Sequence, residues 1–312
     1  MPEKSIHIQD RETGLNIFIT GAGGFIGSSV FTYFTDKNFS VDKHIRSIDG
    51  DLTETSIPDK VDVIVNCAGR LGLPGVDTDQ LKLANVTLPI ILADICRTRK
   101  IHLIHLSTPG IAGLSADITE DSPADPWGDY EKSKHQAEEA LREHSISKSG
   151  QLTILRPDFV YGPGDKHKLP FFKQVAKGWL PLIGLKDVRI RPTFVSDVCS
   201  AIENSMPGKC LNAGLFNIGG PEVVSIREFG TLIAQKLGRK LIAIPLPRLL
   251  YAMALRSGPL KPRSLSHTRL RLFSEDHYVS ISKAADAGFT PSILLSDGIQ
   301  KTFEWYRFEK LL

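Results

Sequence analysis

A chain of 312 residues has room for one large or two modest domains. With 41% apolar and 23% charged residues, its composition is that of an ordinary globular protein. A net charge of +3, with no basic run interleaved with aromatics, argues against a nucleic-acid partner. The four cysteines, Cys67, Cys96, Cys199 and Cys210, form no C-x-x-C pair. No zinc cluster, redox dithiol or other metal site is therefore expected, and buried thiols in a reducing compartment are the plain reading. Met1 to Gly14 is polar and lacks the apolar core of a signal peptide. No run approaches the ~18 uninterrupted apolar residues of a spanning helix. The expected location is cytoplasmic.

In chain order, Leu15 to Thr20 reads as a buried strand stopping at a glycine turn, and Phe25 to Phe34 as a helix. Phe39 to Arg46 is a weaker second strand, interrupted by Asp42, Lys43 and His44. Val61 to Cys67 and Ile101 to Leu106 are strands, with a helical pattern from Asp79 to Arg97 between them. A long helix over about Tyr130 to His144 leads to a strand from Leu152. This alternation predicts an α/β fold, a Rossmann-type doubly wound parallel sheet, over residues 14–160. After Gly162 proline and glycine recur and the pattern loosens. Phe216 to Ile218 reads as one more core strand, Ser225 to Leu237 and Asp297 to Lys310 as helices. About 194–219 is expected to thread back into the first domain. Residues 161–193 and 220–312 would form a smaller, mixed C-terminal substrate lobe.

The turn Thr20-Gly21-Ala22-Gly23-Gly24-Phe25-Ile26-Gly27 places glycines at 21, 24 and 27. Gly21 would make the tight exit from the strand. Gly24 would let backbone approach a diphosphate, and Gly27 would let the helix pack on the sheet. Free N–H groups at the helix start favour an anion. The alternative is a glycine-rich turn without a ligand.

Tyr130 and Lys134 form Y-x-x-x-K and share one helix face. A free tyrosine titrates near pH ~10. A neighbouring ammonium and a positive nicotinamide ring would favour phenolate, allowing proton exchange with a substrate hydroxyl or carbonyl. The alternative is a surface pair at helical spacing. Ser107-Thr108 ends the preceding strand, at the sheet edge where ligands collect. Thr108 could donate to the reacting oxygen or simply cap the strand.

Together these residues resemble the extended short-chain dehydrogenase/reductase family, which includes nucleotide-sugar epimerases and dehydratases. The resemblance runs from about residue 15 to 306. TGAGGFIG at 20–27 is similar to its cofactor turn, GDL at 50–52 to its adenine-contacting element, and NCAG at 66–69 to its fourth-strand motif. Asn85 matches the asparagine of the following helix. STPGIAG at 107–113, YEKSK at 130–134, LRPDFVYGPGD at 155–165, RPTFVSDV at 191–198 and FNIGGPEVVSIREF at 216–229 continue the match. The resemblance implies catalytic roles for Thr108, Tyr130 and Lys134. It implies cofactor contacts from Gly21, Gly24, Phe25, Ile26, Gly27, Arg46, Asp51, Leu52, Ala68, Gly69, Asn85, Tyr130, Lys134, Pro157 and Val160. One departure is the short segment after the second strand, which closes on no clear acidic residue. Arg46 lies 19 residues after Gly27, near the offset where a 2′-phosphate is met. NAD or NADP is expected, with a lean to NADP; the alternative is a solvated arginine with Asp49 as the acidic partner.

On the substrate side, Thr108, Arg189 and Arg191 are the candidates, the arginines for a nucleotide diphosphate or as solvated charges. Asp197 is read as orienting backbone. Residues 245–271 form an apolar, proline-broken, arginine-flanked stretch, either a cap on the substrate lobe or a weak membrane-surface contact. The leading function is a 4-epimerase or ketoreductase acting on a nucleotide-linked sugar. A dehydratase is less favoured because Thr108 is followed by Pro109-Gly110, not carboxylates, although carboxylates from elsewhere in the fold could still approach. Alternatives are a steroid- or lipid-alcohol dehydrogenase, a lipid-linked-sugar epimerase, and a non-catalytic cofactor-binding subunit. The resemblance also implies a homodimer through helices near 85–99 and 130–144.

Overall fold

The computed structural model describes residues 14–72, 76–184, 186–255, 271 and 273–312. β1 (Asn16–Thr20) leads into α1 (Phe25–Asp36), and β2 (Ser40–His44) into the short α2 (Arg46–Asp49). β3 (Val63–Asn66) is followed by α3 (Thr78–Lys82), which passes through a π-helical turn, Leu83–Thr87, into α4 (Leu88–Arg99). β4 (His102–Leu106), α5 (Asp129–Glu143), α6 (Ser145–Lys148) and β5 (Leu152–Pro157) follow. The remainder comprises β6 (Val160–Tyr161), α7 (Leu169–Ala176), β7 (Trp179–Ile183), β8 (Arg189–Ile190), β9 (Thr193–Phe194), α8 (Val195–Asn204) and β10 (Gly214–Ile218). Last come β11 (Val224–Ser225), α9 (Ile226–Lys236), β12 (Ile242–Leu246), α10 (Arg248–Leu255), α11 (Ser282–Asp286) and α12 (Leu295–Phe308).

Six strands form one parallel sheet in the order β2-β1-β3-β4-β5-β10. The order reverses between β1 and β3, opening the crevice in which open α/β sheets bind ligands. Apolar side chains alternate across the sheet. Ile17 and Ile19 face α1 and α8 with Val30, Phe34, Val198 and Ile202; Phe18 and Ile64 face α4 and α5 with Leu92, Ile95 and Leu141. A separate core fills the C-terminal lobe, where Phe172, Val175, Phe229, Ile233, Ile299 and Tyr306 pack together. The lobe's strands pair in short ribbons, β8 with β11, β7 with β12 and β6 with β9.

Three details differ from the sequence reading. The second strand ends at His44, because Arg46 already starts α2. The helix over 78–99 is not continuous α-helix. Pro89 has no N–H to return to the Asn85 carbonyl, and the chain widens there into the π turn. The β6–β9 and β8–β11 ribbons have two residues per strand, too few to leave a period-2 signature.

Candidate active site

The glycine turn packs more tightly than its spacing alone conveys. Gly21 has φ +70°, and a Cβ there would lie 2.5 Å from the Ala68 nitrogen in the loop after β3. A Cβ on Gly27 would lie 2.2 Å from the Gly21 carbonyl oxygen, so α1 docks on the turn only because residue 27 lacks one. Gly24 is the N-cap of α1; it brings no side-chain cap, and no acidic residue occupies the first turn. The N–H groups there suit an anion. The turn forms one wall of a groove of about 690 Å³, completed by His44, Ile45, Arg46 and Ser47, by Asp51 and Leu52, by Cys67 to Arg70, and by Leu83, Leu88 and Ile91. Its size and mixed lining are those of a cofactor cleft.

Behind the groove lies a chain of buried polar groups. The Thr20 hydroxyl donates to Asn66 Oδ1 at 2.7 Å, and Asn66 Nδ2 lies 3.0 Å from His105 Nδ1. His105 Nε2 lies 3.1 Å from Lys134 Nζ, which also donates to the Leu106 carbonyl at 2.6 Å. That bond holds the Y-x-x-x-K helix against the end of β4, two residues before Thr108. Burial lowers the Lys134 ammonium to about 8, against the opposing pull of Glu138 and the Cys67 sulfur. Burial, then the Lys134 charge, hold His105 well below its usual value. Tyr130, on the first turn of α5, is pushed up, first by burial and then by the Glu131 carboxylate. The downward pull expected from a neighbouring ammonium is therefore not what the chain alone exerts.

A second cavity, of about 200 Å³, opens beside the sheet edge. Thr108, Glu131, Pro157 and Asp158 line one side, and Leu114, Ile118, Trp127, Phe159, Phe273 and Tyr278 contribute to the rest. The Thr108 hydroxyl accepts from the Gly110 N–H at 3.3 Å, capping a 3₁₀ turn, and still borders the cavity. A Cβ built on Gly110 would lie 3.5 Å from Thr108 Oγ1 and 3.7 Å from Glu131 Oε1, so this glycine leaves room between the two. A carboxyl thus does stand beside Thr108, delivered by α5 and not by the residues following Thr108. Burial raises Glu131, and raises Asp158 to about 7 despite the Val279 N–H and Arg191.

The family model described as "NAD dependent epimerase/dehydratase family" matches residues 17–219. The chain belongs to that family. It is an enzyme of the extended short-chain dehydrogenase/reductase type, and its parallel six-stranded sheet is the Rossmann-type sheet of that fold. A curated relative from Escherichia coli O157:H7, N-acetyl-alpha-D-glucosaminyl-diphospho-ditrans,octacis-undecaprenol 4-epimerase, is 23% identical over 93% of this chain and 95% of its own. The crystal structure of UDP-glucuronic acid 4-epimerase from Bacillus cereus in complex with UDP-glucuronic acid and NAD superposes with TM-score 0.71, at 21% identity, over 95% of this chain and 100% of that one. RMD from Pseudomonas aeruginosa, complexed with NADPH, superposes with TM-score 0.72, at 18% identity, over 95% and 99%.

Within this family member, the residues named from sequence divide among three environments. Gly21, Gly24, Arg46, Asp51, Leu52, Ala68 and Gly69 line the groove. Thr108 and Pro157 line the second cavity, and neither lines the groove. Phe25 packs beside Gly164, Ile26 and Val160 pack against the sheet core, and Gly27 is spent on helix docking. Asn85 does not line the groove. It is fully buried, and its amide donates to the Arg70 carbonyl and the Ser133 hydroxyl while accepting the Arg70 N–H. It clamps the loop after β3 to α5 and reaches the groove only through that loop. Arg189 and Arg191 are likewise engaged. Arg189 pairs with Asp276 and stacks on Tyr278, and Arg191 donates to the Gly220 carbonyl. Neither lines the second cavity. Arg256, Lys261, Arg263 and Arg269 of the apolar, basic stretch lie outside the described residues; Arg271 stacks over Trp127. Sequence reasoning missed Asn66, His105, Glu131, Trp127 and Tyr278. For His105 the one available signal was a histidine inside an otherwise apolar strand.

Proposed function

We propose that the enzyme interconverts a secondary alcohol and a ketone on a sugar carried by a nucleotide, as a 4-epimerase or ketoreductase. The observation that carries this reading is the anchoring of Lys134 on the Leu106 carbonyl, which holds the Y-x-x-x-K helix against the end of β4, with its Glu131 beside Thr108 at the second cavity. A bound nicotinamide would supply the hydride-accepting and hydride-donating centre. The residues that would hold it are the Gly21–Gly27 turn at the diphosphate, Asp51 and Leu52 at the adenine end, and Ala68 and Gly69 along the middle of the groove. Thr108 donates to the substrate oxygen, and Tyr130 moves the proton on that oxygen. Because the chain alone raises Tyr130, the phenolate form depends on the charge of the bound cofactor and of Lys134. Replacing Tyr130 with Phe should cut turnover of the accepted nucleotide sugar by at least ~10²-fold with cofactor binding retained. Wild-type turnover in Tyr130→Phe would remove the assigned role.

NADP is the favoured cofactor. Arg46 and Ser47 line the end of the groove where the adenosine ribose would sit, and His44 Nε2 there has no partner. Asp49, the acidic alternative, accepts the Ile45 N–H at 2.6 Å and does not line the groove. Asp51 pairs with Arg46 at 2.7 Å, an exposed pair that a phosphate can displace. In competitive titration NADPH should bind tighter than NADH, and Arg46→Ala should remove the difference. Equal affinities in the wild type would decide for an indifferent site.

One observation favours a second reading. The cavity wall is largely apolar, with Leu114, Ile118, Phe159, Ile226, Phe273 and Val279, and the two arginines expected at a diphosphate are engaged elsewhere. A lipid-linked sugar or lipid alcohol would fit that wall. Turnover of polyprenyl-linked or sterol substrates, with none of a nucleotide-sugar panel, would select it. A homodimer through α4 and α5, and weak membrane-surface contact through 245–271, belong to the same proposal. Among the described residues no helix is long and apolar enough to cross a membrane.

A further inference from the structure

The hydrogens of the buried chain from Thr20 to Lys134 can be counted, and the count assigns a state to Lys134. Thr20, Asn66, His105 and Lys134 are each at most 3% exposed, so their partners come from one another and from the backbone around them. The Ala68 backbone N–H, 3.2 Å from Asn66 Oδ1, can only donate. It therefore fixes the Asn66 amide with Oδ1 toward Ala68 and Nδ2 toward His105. Nδ2 can also only donate, so His105 Nδ1 must offer its lone pair. A neutral imidazole then carries its single proton on Nε2, the atom facing Lys134 Nζ. An ammonium facing that N–H would set donor against donor. The 3.1 Å contact is a hydrogen bond when Lys134 offers a lone pair.

We infer that His105 is a positioning residue for Lys134: its Nε2–H donates to the neutral Lys134 amine, and protonation of that amine opens the contact. The same bond cannot be recovered by moving the imidazole proton to Nδ1, because the Ala68 N–H keeps Asn66 Nδ2 aimed there. The ammonium retains the Leu106 carbonyl on one side and has its remaining hydrogens free for other acceptors. The balance is simple: one proton is gained at Nζ, one Nε2–H···Nζ bond is lost, and His105 keeps its proton throughout. The charged groups around the pair are few. Lys134 is the charge acting on His105. Glu138 and the Cys67 sulfur act on Lys134, and Glu138 is already forked onto Arg156 at 2.9 and 2.5 Å. Any effect on turnover rests on the Tyr130–Lys134 reading above; the hydrogen-bond assignment does not.

Two measurements on the whole chain test it. Nitrogen-15 NMR of histidine side chains should show His105 as the neutral Nε2–H tautomer between pH 6 and 9, where ~6.5 is the ordinary midpoint. Carbon-13 NMR of the lysine ε-methylenes, with Lys134 assigned by Lys134→Arg, should show Lys134 losing its proton near about 8. In His105→Gln the amide oxygen can turn toward the ammonium, and the Lys134 midpoint should rise, with proton affinity up about tenfold. An Nδ1–H tautomer in the wild type, or an unmoved Lys134 midpoint in His105→Gln, would overturn the inference. The wild-type tautomer measurement decides even where His105→Gln fails to fold. Loss of activity in Tyr130→Phe with these titrations unchanged would separate this inference from the catalytic reading.

Discussion

Asp158 and Lys134 are both buried ionisable groups, and burial moves them in opposite directions because it disfavours whichever form is charged. For Asp158 this has a measurable consequence for stability. Its folded value of about 7 lies above the ordinary carboxylate value of ~3.9, so the folded state keeps a proton that the unfolded state releases. The stabilising contribution is complete below pH ~4 and is lost as pH rises toward about 7. Asp158→Asn should flatten that slope and stabilise the protein at pH 8 by on the order of a few kcal/mol. Urea unfolding at pH 5 and pH 8 reads the difference directly; an unchanged pH slope in the variant would assign it to another group. Tyr130 is raised in the chain alone, first by burial and then by the Glu131 carboxylate, so the lowering expected from sequence needs the nicotinamide charge as well as the ammonium. The Lys134 nitrogen one turn away donates to the Leu106 carbonyl, while Glu131 lies next to Tyr130 in the sequence.

At the scale of elements, two contacts hold the reacting parts together. The first is the approach of α1 to the Gly21–Gly24 turn. A methyl on Gly27 would meet backbone atoms, the Gly21 oxygen at 2.2 Å and its carbon at 2.8 Å, which no rotamer change relieves. Gly27→Ala should cost about 1–3 kcal/mol as overpacking and lower NADPH affinity, read by thermal unfolding and fluorescence titration. The second is the buried Arg156–Glu138 fork, which ties β5 to α5 below the Lys134 turn. Glu138→Ala would leave a guanidinium buried without its counter-charge, at about 3–5 kcal/mol. Measured loss under 1 kcal/mol would mean that water reaches Arg156. The glycine turn, the strands and the long helices were legible because each rests on local periodicity or on a backbone conformation open to glycine. The π turn at Leu83–Thr87 was not: Pro89 marks a missing N–H in the ladder, but a proline does not by itself say whether the helix ends, kinks or widens.

For the whole molecule, the return of the chain through α8 and β10 joins the C-terminal lobe to the sheet. α8 packs on α1, β10 pairs with β5, and Asp197 on α8 accepts from the Ser292 N–H and hydroxyl and the Ile293 N–H. Asp197 thus holds the segment that starts α12, the backbone role read for it from sequence. Asp197→Ala should destabilise by about 1–3 kcal/mol and expose the segment before α12 to hydrogen exchange ahead of the sheet. Exchange rising evenly over both would show a single cooperative unit. The sequence by itself determined the Rossmann-type sheet, the place of the Gly21–Gly27 turn and the candidates Thr108, Tyr130 and Lys134. These are properties of neighbours along the chain, where alternation, helical spacing and the absence of a Cβ act. Only the tertiary structure placed Glu131 beside Thr108, showed the bonds that Asn85, Arg189 and Arg191 make within the chain, and set His105 between Asn66 and Lys134. The His105 partners come from β3 and α5, 39 residues earlier and 29 residues later. Contacts across parallel strands and onto a crossover helix leave no periodic trace in the chain that makes them.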